Sequence, residues 1–241
     1  MVNSSNLKDI FFCPEESNFY SLCLENLVLN HCNNSEVIIE FGSGDGTPVI
    51  NSLLKTELKT EFHGLIYGFE INKLAWKSAQ SKIQEHQLST KYIIQNESLF
   101  DVSKPDANYL ISNPPYLPAA DDKIYHPLLY GGNDGSTIAK RLLSLGYKNI
   151  LLLVCSYSNP KALINYAITQ GYNISNFIIS PLKFGYYSSE PKVKNTIVEL
   201  QKESKAFYSK NIYLIAGVLF CKQDEHTIDL STELLQVITS L

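Results

Sequence analysis

Four consecutive residues, Asn113-Pro114-Pro115-Tyr116, combine a side-chain amide, two backbone-locking rings and a phenol. Each residue before a proline is driven out of the α region, so Asn113 and Pro114 are expected to be extended. The prolines fix φ and remove two N–H donors, which leaves a stiff loop showing carbonyl oxygens. The Asn113 side-chain oxygen and the Pro114 carbonyl then offer two acceptors beside the flat ring of Tyr116. That combination is a socket for a planar NH2 group. A second segment, Glu40-Phe41-Gly42-Ser43-Gly44-Asp45-Gly46, has three alternating glycines that let the backbone turn tightly and approach a ligand closely. It is not a dinucleotide fingerprint, because Thr47 stands where the third glycine of that spacing is needed, and Thr47-Pro48 supplies no phosphate-loop lysine. Glu70 follows the next apolar run at the distance from which a carboxylate accepts both hydroxyls of a ribose.

The elements that carry these groups alternate along the chain. Val37–Phe41, Leu65–Phe69, Lys91–Ile94, Ala107–Ser112, Ile150–Cys155, Ile174–Ile179 and Ile212–Phe220 read as seven strands. Phe19–Leu29, Thr47–Leu58 and Ser136–Leu145 read as helices. Asn72 is placed to cap a helix whose Ala75, Ala79 and Ile83 repeat every four residues. Asn159-Pro160 starts another that Gly171 ends. Continuous apolar strands alternating with helices predict a mostly parallel sheet covered on both faces. Ligands of such sheets sit at the carboxyl ends of the strands, which is where all three segments fall.

Composition narrows the function. The 241 residues are 44% hydrophobic and 18% charged, with a net charge of −4, which argues for a packed domain and against a general nucleic-acid binder. Arg141 is the only arginine, and the arginine fork is the usual reader of phosphates and bases. The five cysteines form no C-x-x-C pair and the five histidines form no H-x-H or H-E-x-x-H, so neither a disulfide scaffold nor a metal site is expected. Cys155 and Cys221 read as core, and Trp76 as packing. The N-terminus has no secretory pattern and no apolar run approaches the length of a span, so no membrane and a reducing cytoplasmic setting are expected.

Taken together, E-x-G-x-G-x-G, the acidic end of the second strand and N-P-P-Y resemble the S-adenosylmethionine-dependent methyltransferases that modify planar nitrogens. Tyr130-Gly131-Gly132-Asn133-Asp134-Gly135 is similar to the GG-x-DG segment of the HemK-type protein-glutamine methyltransferases within that group. Pro14-Glu15-Glu16-Ser17 looks like the P-x-E-[DS] lead-in of its single-domain members, which places substrate near that helix. The resemblance covers about residues 13–180. It implies a Rossmann-like α/β fold with seven mostly parallel strands and helices on both faces; this chain departs from it by an insertion between the last two strands, normally a close pair. A short N-terminal helical segment, 1–34, is expected before a methyltransferase domain, 35–241, with the insertion at about 181–211.

The same resemblance implies S-adenosylmethionine as cofactor and S-adenosylhomocysteine as product, held by Glu40, Gly42, Ser43, Gly44, Gly46, Glu70, Ile71 and Asn113. Where the family has an aspartate after the third strand, this chain has Asn96-Glu97-Ser98, so either Glu97 or Ser98 takes the adenine. His126-Pro127 stands in place of Glu-Pro. Asn113, Pro114 and Tyr116 are the expected catalytic residues. The favoured acceptor is a glutamine side chain of a protein or peptide. The alternatives are adenine in RNA or DNA, with nucleic acid less favoured, a small-molecule amine under a lid of Phe184, Tyr186, Tyr187 and Phe207, and a SAM-binding scaffold without catalysis. The segment 182–210 carries six lysines against three glutamates, and reads better as an exposed amphipathic helix than as a backbone-binding face.

Overall fold

The computed structural model describes residues 10, 11, 13–32, 36–57, 62–223 and 228–241. The fold class is α/β, with a mostly parallel mixed sheet and flanking helices. The chain divides into two compact units, residues 1–113 and 114–241. The expected boundary between residues 34 and 35 lies outside the described residues, and the helix before it packs within the first unit against the helix that follows the glycine segment.

The first unit is built on strands β1 (Val37–Phe41), β2 (Leu65–Phe69), β3 (Tyr92–Gln95) and β4 (Tyr109–Ser112), ordered β3-β2-β1-β4 and all parallel. Phe41 is in register with Phe69, Phe69 with Gln95, and Glu40 with Ile111. The carboxyl ends of the four strands therefore lie side by side. Helices α1 (Pro14–Leu27), α2 (Thr47–Glu57) and α3 (Lys73–Glu85) complete the unit. Asn72 caps α3 as its sequence position suggests, with Oδ1 accepting from Leu74 N at 2.9 Å and Ala75 N at 3.4 Å. The buried stripe of α3 is Ala75, Ala79 and Ile83.

The second unit holds β5 (Asn149–Cys155), β6 (Tyr172–Lys183), β7 (Tyr208–Ser209) and β8 (Ile212–Lys222), with β8 antiparallel to both β5 and β6 and β7 added to β8. All of Ile150–Cys155 is buried, so both faces of β5 are covered. Its helices are α4 (Thr137–Leu143), α5 (Pro160–Thr169), α6 (Pro191–Lys202) and α7 (Ser231–Ile238). The last was not anticipated. β6 runs four residues past its expected end, so the inserted segment begins at about residue 184 and contains α6 and β7. Val193, Ile197 and Leu200 form the buried stripe of α6.

Replacing Asn72 by alanine removes the acceptor that satisfies two first-turn donors of α3. Urea unfolding of N72A is expected to show a loss of about 1 kcal/mol.

Candidate functional site

The glycine segment leaves β1 by folding back on β2, with Gly42 N and Ser43 N both donating to Phe69 O, at 2.9 and 3.2 Å. Gly42 and Gly44 have φ of +70° and +58°, and a Cβ on either would meet nothing within 4 Å. The loop thus presents bare backbone to open space. Gly46 is different. A Cβ there would stand 3.3 Å from Ala79 Cβ and 3.4 Å from the Tyr92 ring, so this glycine serves the packing of the loop on α3. Asp45 is turned away as well: it pairs with Lys82 at 2.5 Å and accepts from Thr47 N at the start of α2.

Glu70 links the first two strand ends. Oε2 accepts from Gly44 N at 2.8 Å and Oε1 from Asn72 N at 2.6 Å. Burial raises the Glu70 carboxyl above its ordinary value, against the backbone N–H groups of Asn72, Gly44 and Ile71 that pull it down. Ile71, the next residue, is 56% exposed. Asn96 follows β3 and donates to Glu70 O at 2.8 Å, so it braces the turn that carries Glu70. Of the two alternatives after β3, Glu97 is exposed, and Ser98 Oγ accepts from Phe100 N in its own turn at 3.2 Å.

Glu40 sits at the end of β1, 1% exposed, and accepts from the Tyr92 hydroxyl. Burial pushes its carboxyl up to about 7, and the Tyr92 bond opposes that rise. Tyr92 was legible only as a strand residue; nothing in its spacing marks it as a carboxylate partner. Beyond β4, Ser112 Oγ donates to Phe41 O at 2.8 Å and ties β4 to β1. Asn113 comes next. Its Nδ2 donates to Glu16 Oε2 at 3.4 Å, while its Oδ1 is buried with no hydrogen-bond partner among the described residues. The first unit therefore brings Glu40, Gly42, Gly44, Glu70 and Asn113 to the carboxyl ends of adjacent strands.

Pro114, Pro115 and Tyr116 open the second unit. Pro114 is buried and Tyr116 is 9% exposed. Tyr116 O accepts from Ser158 Oγ at 2.7 Å, and the Tyr116 ring meets Tyr157 edge to face at 5.9 Å. The glycines of Gly131-Gly132-Asn133-Asp134-Gly135 make that placement possible. A Cβ on Gly131 would lie 2.6 Å from Tyr116 Cα, and one on Gly135 only 2.4 Å from Tyr116 O. Asp134 locks the segment through Ser136 N, Ser136 Oγ and Asn159 Nδ2, at 3.0, 2.7 and 2.7 Å. Neither Ser158 nor Asn159 was among the expected site residues, although Asn159 was recognised as a helix start.

The inserted segment braces the loop after N-P-P-Y. The buried Glu190 accepts from Tyr125 N at 2.6 Å, and Lys192 binds Asp121 at 2.5 Å and Lys123 O at 2.9 Å. His126 is buried with its ring against Tyr187. The four aromatic residues expected as a lid divide: Phe184 stacks on Tyr157, Tyr186 and Tyr187 touch each other, and Phe207 lies under Lys161. Lys202 and Lys205 pair with Glu199 and Glu203 on their own element or turn, and Lys192 with Asp121 from outside the segment. Trp76 donates to Ile94 O at 2.9 Å, a packing role. Among the described residues no group of three His, Cys, Asp or Glu side chains is set to hold a metal, and no helix is long and apolar enough to cross a membrane.

No protein-family model and no curated protein matches the sequence. Solved structures do match. A Listeria monocytogenes protein assigned to the class I S-adenosylmethionine-dependent methyltransferases superposes with a TM-score of 0.57 at 13% identity, over 92% of this chain and 64% of its own. The fold is that of the class I S-adenosylmethionine-dependent methyltransferases. Magnesium protoporphyrin IX methyltransferase from Synechocystis, solved with S-adenosylhomocysteine, gives 0.55 at 15% identity over 92% and 89% of the two chains. The complex of aTrm5 with tRNALeu gives 0.54 at 15% identity over 89% and 48%. This chain spans less than two thirds of the Listeria protein, and the neighbours' acceptors differ among themselves.

Because folding raises the Glu40 carboxyl from 4.5 to about 7, the native state holds a proton there that the unfolded chain releases. That contribution to stability is complete below pH 4.5 and is lost as the pH climbs through 7. Glu70 acts in the same direction. Urea unfolding of wild type and E40Q at pH 5 and pH 8 checks this: the wild type is expected to lose up to about 3 kcal/mol more than the variant over that interval.

Proposed function

We propose that this chain is a methyltransferase that binds S-adenosylmethionine at the strand ends of its first unit and methylates a planar amide or amine nitrogen. The residues present fit the cofactor. Bare backbone at Gly42 and Gly44 suits the amino-acid moiety, with Ser43 between them. The Glu70 carboxylate, at the end of β2 beside this loop, suits the ribose hydroxyls. Exposed Ile71 offers an apolar surface to the adenine, and Glu97 or Ser98 a polar contact at its edge. Glu40, buried beside this loop and bonded to the Tyr92 hydroxyl, orients it. When bound, S-adenosylmethionine supplies an electrophilic methyl group whose transfer leaves the uncharged thioether.

The observation that carries the reading is Asn113. A buried carbonyl oxygen without a partner costs about 1–3 kcal/mol, so its persistence is explained by a ligand N–H that completes it. An amide or aryl-amine nitrogen is a weak nucleophile because its lone pair is delocalised. Asn113 Oδ1 and the Pro114 carbonyl would accept its two N–H bonds and stabilise the positive charge that grows on it, an acceptor counterpart of an oxyanion hole. Tyr116, held at its carbonyl by Ser158, would supply a flat face that fixes the group's distance and tilt. The methylated nitrogen is acidic and loses its proton to water, so no side chain is needed as general base.

The favoured acceptor remains the glutamine side chain of a protein or peptide, on the combined resemblance of N-P-P-Y and GG-x-DG. A small-molecule aromatic amine is the second reading, favoured by the exposed rings of Tyr125 and Tyr186, 5.5 Å apart, beside the buried His126. Labelled-methyl transfer to a cell extract, fractionated into protein, RNA and small molecules, separates these acceptors: label in the protein fraction is expected. N113A is expected to bind S-adenosylhomocysteine within threefold of wild type and to lose about 100-fold or more in single-turnover methyl transfer. Near wild-type transfer by N113A would remove Asn113 from the mechanism.

A further inference from the structure

We propose that Glu16, in the first turn of α1, is the positioning residue that holds the Asn113 amide in one of its two orientations. The inference rests on the proposed reaction and extends it to a residue that does not touch the acceptor. A primary amide is nearly symmetric in shape, and rotating it by half a turn exchanges an acceptor for a donor. If the NH2 faced the acceptor nitrogen, two donors would confront each other and the socket would repel what it must hold. Something has to break that symmetry.

Glu16 is placed to do so. It is 7% exposed, and its Oε2 stands 3.4 Å from Asn113 Nδ2. A carboxylate accepts hydrogen bonds and donates none. The contact is long, so its attraction is modest, but the alternative orientation would set Asn113 Oδ1 against a carboxylate oxygen at the same separation. The difference between the two orientations is therefore larger than the strength of the bond alone. In a buried setting that difference is enlarged, because little solvent screens it. The N-terminal location of Glu16 is consistent: Pro14 occupies the first turn of α1, and a negative side chain is favoured there by the free N–H groups of the helix. The fixed result is an Asn113 whose oxygen stays outside every protein hydrogen bond among the described residues.

The test uses near-isosteric variants of the full chain. E16Q keeps shape and removes the acceptor-only character, because a glutamine amide satisfies either orientation of Asn113. Its kcat is expected to fall about tenfold, with KM for the acceptor and Kd for S-adenosylhomocysteine within twofold of wild type. N113D alone places two carboxyl groups together and is expected to lose at least 100-fold. N113D/E16Q restores one donor facing one acceptor, and is expected to recover at least tenfold over N113D. A role in packing alone predicts instead that the losses multiply.

A readout independent of turnover is the side-chain amide signal of Asn113 in 15N-labelled ligand-free protein. The carboxylate-bonded proton is expected downfield in wild type and shifted upfield, with exchange broadening, in E16Q. An unchanged signal in E16Q, or a double variant no better than N113D, overturns the assignment of Glu16. Absence of methyl transfer by wild type would strike at the proposed function, and the amide signal would still decide the role of Glu16.

Discussion

A carbonyl oxygen buried without a partner is a standing cost, and the first unit is organised so that Asn113 Oδ1 bears it. Parallel pairing sets the ends of β1 and β4 side by side, and Ser112 pins the last residue of β4 to Phe41 O just before the chain reaches Asn113. The following proline pair denies the backbone the freedom to turn the oxygen elsewhere. The amide is thus delivered by the sheet and stiffened by the sequence immediately after it.

The neighbouring strand ends divide the work differently. Glu70 ties the glycine loop and the start of α3 together by accepting from Gly44 N and Asn72 N. Glu40 is wholly enclosed, and burial raises its carboxyl while the Tyr92 hydroxyl opposes that rise. Three glycines that look equivalent in sequence are not: two keep open space above the loop, and Gly46 lets the loop lie against Ala79 and Tyr92. In the second unit the same residue type works by proximity, since Gly131 and Gly135 stand where any side chain would strike the backbone of Tyr116.

Most of the fold was legible because strands buried on both faces read as unbroken apolar runs and because caps have chemical signatures. Val37–Phe41, Leu65–Phe69 and the Asn72-capped helix fall where their residues predict. The overrun of β6 to Lys183 was not readable, because pairing with the long β8 extends it through residues with no strand pattern of their own. α7 follows a stretch without strong punctuation and was missed. That Glu40, Gly42, Gly44, Glu70 and Asn113 lie together was readable, because they stand at or just after the ends of strands whose apolar runs are plain in the sequence. Tyr92, Asn96 and Ser158 were not, because each acts through a contact between segments far apart in sequence. Glu16 stood in a quoted motif, yet only the folded chain pairs it with a residue 97 positions away.

The most direct measurement is a crystal structure of the chain with S-adenosylhomocysteine. The account predicts ribose hydroxyls hydrogen-bonded to Glu70, the amino-acid moiety over Gly42 and Gly44, and the sulfur turned toward Asn113. A ligand held elsewhere on the molecule, or no ligand at saturating concentration, would contradict it.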